Sequence, residues 1–257
     1  MHGSIARRVE IQGLPLHAIT GEGLVRLIAE RAANRQPTII GHHNLHGLAL
    51  ARQHPDMARF YDRCDVVYAD GMSVVWLARV EGQRISREHR VTLLDRLHEI
   101  LSIATARRWR VGIVGGTWEQ ALQVRRRLLA SYPGLDAAVH HGFLPPGSAE
   151  ELEAVQWCAE RNFDLLFMAM GMPHQERMIG RFAEDLRATV TIAVGGLFDY
   201  GLTTKTPPRW LGPLGLEWLF RLLSDPRRLA HRYLVEPWPV VLAVLRGWAR
   251  RKLGGRR

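Results

Sequence analysis

Short apolar segments alternate with longer segments of helical periodicity through the first 200 residues. Strands are predicted at RVEIQG, PTIIGHHN, DVVYAD, RVGIVGG, DAAVHHG, DLLFMAMG and TVTIAVGG. Helices are predicted over residues 21–34, 45–64, 91–107, 117–132, 149–161 and 173–187, with another that begins near Met72. Strands that are apolar along their whole length are typical of parallel sheets covered on both faces. The pattern therefore predicts an α/β fold with a Rossmann-like, mostly parallel sheet and helices on both faces.

The texture of the chain changes after Tyr200, where Pro, Trp and Arg become frequent. The net charge of the chain is +10, and residues 205–257 carry twelve Lys and Arg against three Asp and Glu, which is +9. We therefore divide the chain into an α/β core over residues 1–200 and a basic, helical C-terminal appendage over residues 201–257. Such a charge favours an anionic partner, which is a nucleic acid, an acidic membrane surface or a phosphorylated ligand.

The composition excludes several classes of protein. Cys64 and Cys158 are the only cysteines, which excludes a disulfide framework and a four-cysteine metal site. No apolar stretch approaches the roughly 20 residues that span a bilayer, and the first residues lack the apolar core of a signal peptide. These features predict a cytoplasmic protein.

Ligands of parallel α/β folds bind at the carboxyl ends of the strands. Asp70 ends one predicted strand, where it suits either a general base or the N-cap of the next helix. Gly115 and Gly116 follow another strand with the spacing G-x-x-G-G, which differs from the dinucleotide fingerprint. A tight turn and a phosphate site are equally open there. The other strand-end candidates are Asn44, Gly142, residues 172–176 and Gly195–Asp199.

The stretch MGMPHQE, residues 170–176, is the most specific of these strand ends. Pro173 suits a first helical position, and Glu176 falls in the first turn, where a carboxylate complements the helix dipole. Capping does not account for Gln175, whose amide we expect to form hydrogen bonds with a ligand. We expect His174 to be exposed and dispensable.

The sequence does not favour a metal site. His42, His43 and His46 are close together, yet no carboxylate stands near them at ligand spacing. The chain also lacks a D-x-D pair, the usual holder of a metal–diphosphate. We therefore expect neither a metal nor a cofactor.

Taken together, these motifs resemble those of the WecG/TagA/CpsF family of bacterial glycosyltransferases. MGMPHQE is similar to the family's G-x-P-x-Q-E signature, YADGMSVVW to its A-D-G-x-x-V block, and HRVTLLDRL to its R-V-x-G-x-D segment. GFLPPG resembles its glycine-aromatic turn. Residues 193–234 contain stretches similar to the family's G-x-x-F-D, R-A-P-x-W and G-L-E-W-x-x-R-L blocks.

The resemblance implies an inverting, metal-independent hexosyltransferase. It would move a sugar from a UDP-sugar to a sugar on undecaprenyl diphosphate, in the biosynthesis of exopolysaccharide, teichoic acid or common antigen. It implies that Asp70 is the catalytic base and that Asn44, Arg90 and Gln175 line the pocket. Arg90 would bind the departing diphosphate with two hydrogen bonds. Three arginines of the appendage either add to this positive charge or are solvated surface residues. They are Arg221, Arg228 and Arg232.

Three positions depart from the family pattern. His42 replaces a common Thr, Leu93 a Gly, and Thr206 the Arg of R-A-P. They leave open the donor sugar, the acceptor and the linkage, and the sequence also leaves open a homo-oligomer. The alternative from another class is a non-catalytic nucleic-acid-binding protein, but the sequence lacks a zinc or helix-turn-helix signature. The glycine spacing disfavours a nucleotide-dependent oxidoreductase.

Residues 236–253 combine an apolar stripe with clustered positive charge. Trp238, Val241, Leu245 and Trp248 recur at helical spacing and are flanked by Arg and Lys. We expect this helix to lie in an anionic bilayer surface, which gives the protein a peripheral position on the inner face of the cell membrane. The alternative is an ordinary docked terminal helix.

Overall fold

The computed structural model describes residues 6–199, 208, 211 and 216–254. It leaves out the side chains at positions 199, 217, 221, 228, 232, 233 and 250–254. The predicted α/β class is confirmed, because six parallel strands form one sheet flanked by helices and the described C-terminal part is helical.

The strands fall into a large sheet and a small hairpin. They are β1 (Arg8–Ile11), β2 (Leu14–His17), β3 (Thr38–His43), β4 (Val66–Ala69), β5 (Arg110–Gly115), β6 (Asp136–His140), β7 (Leu165–Ala169) and β8 (Val190–Ala193). β3 to β8 form the parallel sheet in the order β4-β3-β8-β7-β5-β6. β1 and β2 form a separate antiparallel pair. The parallel sheet therefore collects the ends of six strands along one carboxyl edge.

Helices cover both faces of this sheet. The helices are α1 (Gly21–Ala33), α2 (Leu45–Ala51), α3 (Pro55–Arg63), α4 (Met72–Val80), α5 (Leu93–Arg107), α6 (Trp118–Ser131), α7 (Ala149–Arg161), α8 (His174–Phe182), α9 (Glu217–Ser224), α10 (Pro226–Leu234) and α11 (Trp238–Gly254). One buried cluster joins α1, α5 and α6 to the sheet through residues such as Ile28, Leu101 and Ile113. Another joins α3, α7 and α8 to it, for example through Phe60 and Met168.

Two predicted helices differ in extent from the structure. The helix predicted over 45–64 is divided into α2 and α3, because Pro55 stands in the first turn of α3 and His54 is extended. The helix predicted over 173–187 begins at His174 and ends at Phe182, with Pro173 as its N-cap rather than its first residue. Hydrogen-bonded turns continue the chain after Phe182.

The hydrophobic pattern did not predict β2 or the hairpin turn. Gln12 and Gly13 have φ values of 53° and 76°. Two consecutive positive φ values are those of a type I′ hairpin turn. The hairpin lies against the outer edge of β4, where the Val67 N–H donates to His17 Nδ1 at 3.0 Å. Ala69, farther along β4, accepts the Val91 N–H at 2.9 Å, so outward-facing groups of this edge strand are paired.

Among the described residues, helix α11 packs on α2 and α4 through the face that carries Val240 and Val244. Val240 and Val244 are buried there, and Val240 belongs to the same apolar cluster as Met72 of α4. The apolar side chains exposed along this helix are Trp238, Leu242, Leu245 and Trp248. Within the described residues, no helix combines the length and the hydropathy needed to cross a bilayer.

Candidate active site

Asn44 and Asp70 are brought together by the register of two neighbouring strands. Ala69 of β4 pairs with His43 of β3, and the next N–H along the chain, that of Asp70, donates to the His43 carbonyl at 2.8 Å. Asn44 and Asp70 each follow their strand directly. Because both strands are parallel, the two side chains stand at the same edge of the sheet.

The Asp70 carboxylate does not cap the helix that follows it. The N-cap of α4 is Gly71, whose φ of 98° few other residues adopt, and α4 has no side-chain cap. Asp70 is half-buried. Within the described part of the chain, its carboxylate has no hydrogen bond or ion pair. The capping interpretation of Asp70 is therefore wrong, and the carboxylate is available to accept a proton from a ligand.

Arg90 lies on the other side of Asp70. A bridge pairs Ala69 with Arg90, in parallel orientation. The guanidinium is held by a 2.8 Å hydrogen bond from Nη1 to Thr92 Oγ1 and by an ion pair of 3.8 Å with Asp95. Only 13% of the Arg90 side chain is exposed. The structure thus places a fixed positive charge beside the Asp70 backbone.

Asn44 has a capping role of its own. Its Oδ1 accepts the Gly47 N–H at 2.8 Å and so caps α2. This bond fixes the side-chain amide and leaves its NH₂ group as the donor toward a ligand. Capping does not compete with ligand binding here, because the two tasks use different atoms of the amide.

Glu176 stands in the first turn of α8, as predicted, but the side chains of Gln175 and Glu176 are both buried. Gln175 is completely buried, and Glu176 is 1% exposed. Gln175 Oε1 accepts the Gly195 N–H at 2.9 Å, and its Nε2 donates to Glu176 Oε1 at 2.8 Å. Burial raises the pKa of Glu176 to about 7. The Glu176 carboxyl therefore lies inside the protein rather than on the helix surface. His174 is exposed, as predicted.

Gly115 and Gly116 stand at positions where a larger residue would clash with a neighbouring strand or strain the backbone. A Cβ on Gly115 would lie 2.4 Å from the Ala169 carbonyl oxygen of β7. Gly116 has a φ of 66°, and its carbonyl accepts the Gly142 N–H at 2.8 Å. The N-terminus of α6 is capped by Thr117 through a capping box with Gln120. These contacts support the tight-turn interpretation, and no observation within the described residues points to a phosphate.

Those glycines lie at the point where the connections between successive strands reverse direction across the sheet. The chain leaves β5 toward β6 and leaves β7 toward β8, on opposite sides. Such a switch point opens a crevice at the carboxyl edge. From β4 to β5 there are four strand intervals, or roughly 19 Å at about 4.8 Å per interval. The predicted residues form a row along this edge, in the order Arg90, Asp70, Asn44, Gln175 and Gly115.

The histidines near Asn44 are engaged in the fold. His43 is buried, its Nε2 contacts the Pro15 carbonyl at 2.9 Å, and burial lowers its pKa to about 3. His42 Nδ1 contacts the Ala193 carbonyl at 3.0 Å. His46 forms a 2.6 Å pair with Glu236, just before α11. Among the described residues, no three His, Cys, Asp or Glu side chains are grouped as a metal ion requires.

The appendage arginines are only partly described. Arg221 lies in α9, while Arg228 and Arg232 lie in α10, but their side chains are outside the described residues. Thr206 also lies outside them. The burial of Glu176 was not predicted from the sequence. Its signal was the helical spacing of Gln175, Met178, Ile179 and Phe182, which form the buried face of α8.

Comparison with known proteins completes the description of the site. A family model described as "Glycosyl transferase WecG/TagA/CpsF family" matches residues 9–254. The N-acetylglucosaminyldiphosphoundecaprenol N-acetyl-beta-D-mannosaminyltransferase of Bacillus subtilis is 28% identical over 163 residues, which are 63% of this chain and 62% of that protein. A protein of the same name from Bacillus spizizenii is 26% identical over 179 residues, 69% of this chain and 68% of that protein. Another from Staphylococcus aureus is 27% identical over 180 residues, 70% of this chain and 69% of that protein. The chain thus spans between 62% and 69% of the length of these three relatives.

Proposed function

Because the chain belongs to the WecG/TagA/CpsF family of glycosyltransferases, we propose that it transfers a sugar from a UDP-sugar to a polyprenyl-diphosphate-linked sugar, with inversion. The observation that carries the proposal is the Asp70 carboxylate, which stands without a hydrogen bond among the described residues between Asn44 and Arg90. The relatives' names, which specify a diphosphoundecaprenol acceptor, support the acceptor class. The product would enter a cell-surface polysaccharide.

Asp70 is the proposed general base. The acceptor hydroxyl oxygen forms a bond to the anomeric carbon of the donor, the bond from that carbon to the UDP oxygen breaks, and UDP leaves with the electron pair. The hydroxyl proton passes to the Asp70 carboxylate. The Asn44 NH₂ group is placed to orient the sugar or the acceptor. No metal ion is needed for this sequence of bond changes.

Arg90 is the proposed anchor of the leaving diphosphate. Negative charge develops on the bridging oxygen as the sugar departs, and a fixed guanidinium stabilises that charge in a partly dehydrated site. Arg221, Arg228 and Arg232 are proposed to add charge from the appendage. The roughly 19 Å row from β4 to β5 is long enough for an extended nucleotide sugar, whose remaining contacts are proposed to lie along Asn44, Gln175, Gly115 and Gly116.

The C-terminal appendage, residues 201–257, is proposed to hold the α/β core, residues 1–200, at the inner membrane face. Its helix α11 exposes Trp238 and Trp248, which are 59% and 42% accessible. Arg246 on the same helix favours anionic lipid. Because α11 packs on α4, which begins two residues after Asp70, this contact would bring a lipid-linked acceptor close to the base.

A UDP-release assay tests the proposal. The full chain is incubated with a panel of UDP-sugars, including UDP-N-acetylmannosamine and UDP-glucose, and a short-chain polyprenyl diphosphate that carries N-acetylglucosamine. One donor should release UDP only when the acceptor is present. Asp70→Asn should lower kcat by about 10²–10⁴-fold and leave the affinity for UDP within about twofold. Full turnover by this variant would remove Asp70 from the mechanism.

The same preparation also tests the nucleic-acid alternative. A non-catalytic nucleic-acid-binding protein would bind DNA with a steep salt dependence and release UDP from no donor. That outcome would overturn the proposed transfer.

A further inference from the structure

Glu176 has an unusual environment for a carboxyl group. It is 1% exposed, and its Oε2 has no hydrogen-bond partner among the residues that the structure describes. Tyr61 of α3 and Cys64, which follows this helix, lie close enough for the Glu176 charge to help raise their pKa values, although burial is the larger cause for both. A buried carboxyl with a free oxygen costs stability, so an apolar residue of this size would serve packing better.

Within the described part of the chain, Glu176 accepts one hydrogen bond from a side chain, and this bond leads to the site. Gln175 Nε2 donates to Glu176 Oε1, while Gln175 Oε1 accepts the Gly195 N–H. An amide has one accepting end and one donating end. If the Gln175 amide rotated by half a turn, its NH₂ group would face the Gly195 N–H, and two donors would meet. The acceptor on Glu176 therefore holds the orientation in which Gln175 can bind Gly195.

Gly195 opens the turn that follows β8. It has a φ of 56°, and the turn Gly196–Asp199 comes next. Leu197 anchors this turn in the apolar core, and Phe198 packs on Phe167 with 5.6 Å between their ring centroids. β8 lies between β3, which ends beside Asn44, and β7. The turn consequently occupies the middle of the row from Arg90 to Gly115.

The geometry points to Glu176 as a positioning residue that acts through Gln175 on the turn from Gly195 to Asp199. It touches neither donor nor acceptor. Its acceptor oxygen fixes the Gln175 amide, and that amide fixes the start of the turn against which the donor binds. This inference rests on the proposed function for its effect on the donor, while its effect on the Gly195 N–H stands without it.

Two substitutions separate positioning from packing. Glu176→Met keeps the length of the side chain and removes the oxygen acceptor, and it also removes a buried carboxyl. Glu176→Gln is the matched control, because its amide oxygen can still accept from Gln175 Nε2. The full chain is measured in three ways: UDP binding by calorimetry, hydrogen exchange at the Gly195 N–H, and the thermal unfolding midpoint.

Glu176→Met should unfold at the same temperature as the wild type or higher. It should nevertheless bind UDP about tenfold more weakly, because about the free energy of one hydrogen bond, the bond that orients the Gln175 amide, is lost. Its Gly195 N–H should exchange about tenfold faster. Glu176→Gln should stay within about twofold of the wild type in both respects.

Unchanged UDP binding and unchanged Gly195 exchange in Glu176→Met would overturn the inference. So would a loss of binding that follows a loss of stability and is not rescued in Glu176→Gln, since that pattern belongs to packing. If the wild-type chain itself fails to bind UDP, the proposed function fails, and the exchange at Gly195 still decides whether Glu176 positions the turn.

Discussion

The stability of the protein should depend on pH through Glu176. Its pKa is raised from 4.5 to about 7 by burial in the folded protein. Between these two values the folded state holds a proton that the unfolded state has released, so the free energy of unfolding falls as pH rises through that window. The loss is about 1.4 kcal/mol for each pH unit, or roughly 3 kcal/mol in total, and it is complete above the raised pKa.

Glu176→Gln removes this titration because an amide does not ionise in the range. The variant should therefore gain stability relative to the wild type by roughly 3 kcal/mol between pH 4.5 and pH 8, whatever its fixed difference at low pH. Urea unfolding of both proteins at several pH values measures this change, and the other titrating groups cancel in the comparison. If the difference in unfolding free energy between the two proteins stays constant across this pH range, the inference that Glu176 is buried with a raised pKa is refuted.

Two further predictions concern packing and the membrane. Gly115→Ala should destabilise the fold by about 1–3 kcal/mol in thermal unfolding, because its Cβ would lie 2.4 Å from the Ala169 carbonyl; Gly180→Ala, a helical control with room for a methyl group, should instead be neutral or stabilising by up to ~1 kcal/mol. Val244→Asp should detach α11 from α2 and α4, so that the backbone N–H groups of α11 exchange hydrogen rapidly. Leu245→Asp lies on the exposed face, so it should leave α11 docked but weaken the binding of the protein to anionic phospholipid vesicles. Equal vesicle binding by the wild type and Leu245→Asp would contradict the proposal that the exposed face of α11 binds the membrane.

The sheet was predictable because its signal is local. Each parallel strand is an apolar run bounded by polar or glycine residues, and each helix has its own periodicity. The β1–β2 hairpin was not, since β2 contains Pro15 and its turn uses Gln12, which is less typical of positive φ than Asn or Asp. The division of one predicted helix at Pro55 follows a known rule that the apolar periodicity on both sides concealed.

The candidate site was predictable to the level of strand ends. Adjacent parallel strands put Asn44 beside Asp70, and the family motifs pointed to both and to Arg90. The direction of the Gln175 and Glu176 side chains was not predictable from the signature alone. It depends on α3 packing against α8, a contact between segments distant in sequence that buries a carboxyl on the first turn.

The covered edge of β4 has a consequence for how copies of the chain meet. An open edge strand is a template on which a strand of another molecule can add, and this is a common route to fibres and aggregates. On β4 the outward-facing Val67 N–H and Ala69 carbonyl are already taken by His17 and Val91. The strand that presents Asp70 is therefore closed to such growth. The N-terminal hairpin thus blocks the addition of a foreign strand beside the residue on which the proposed chemistry depends.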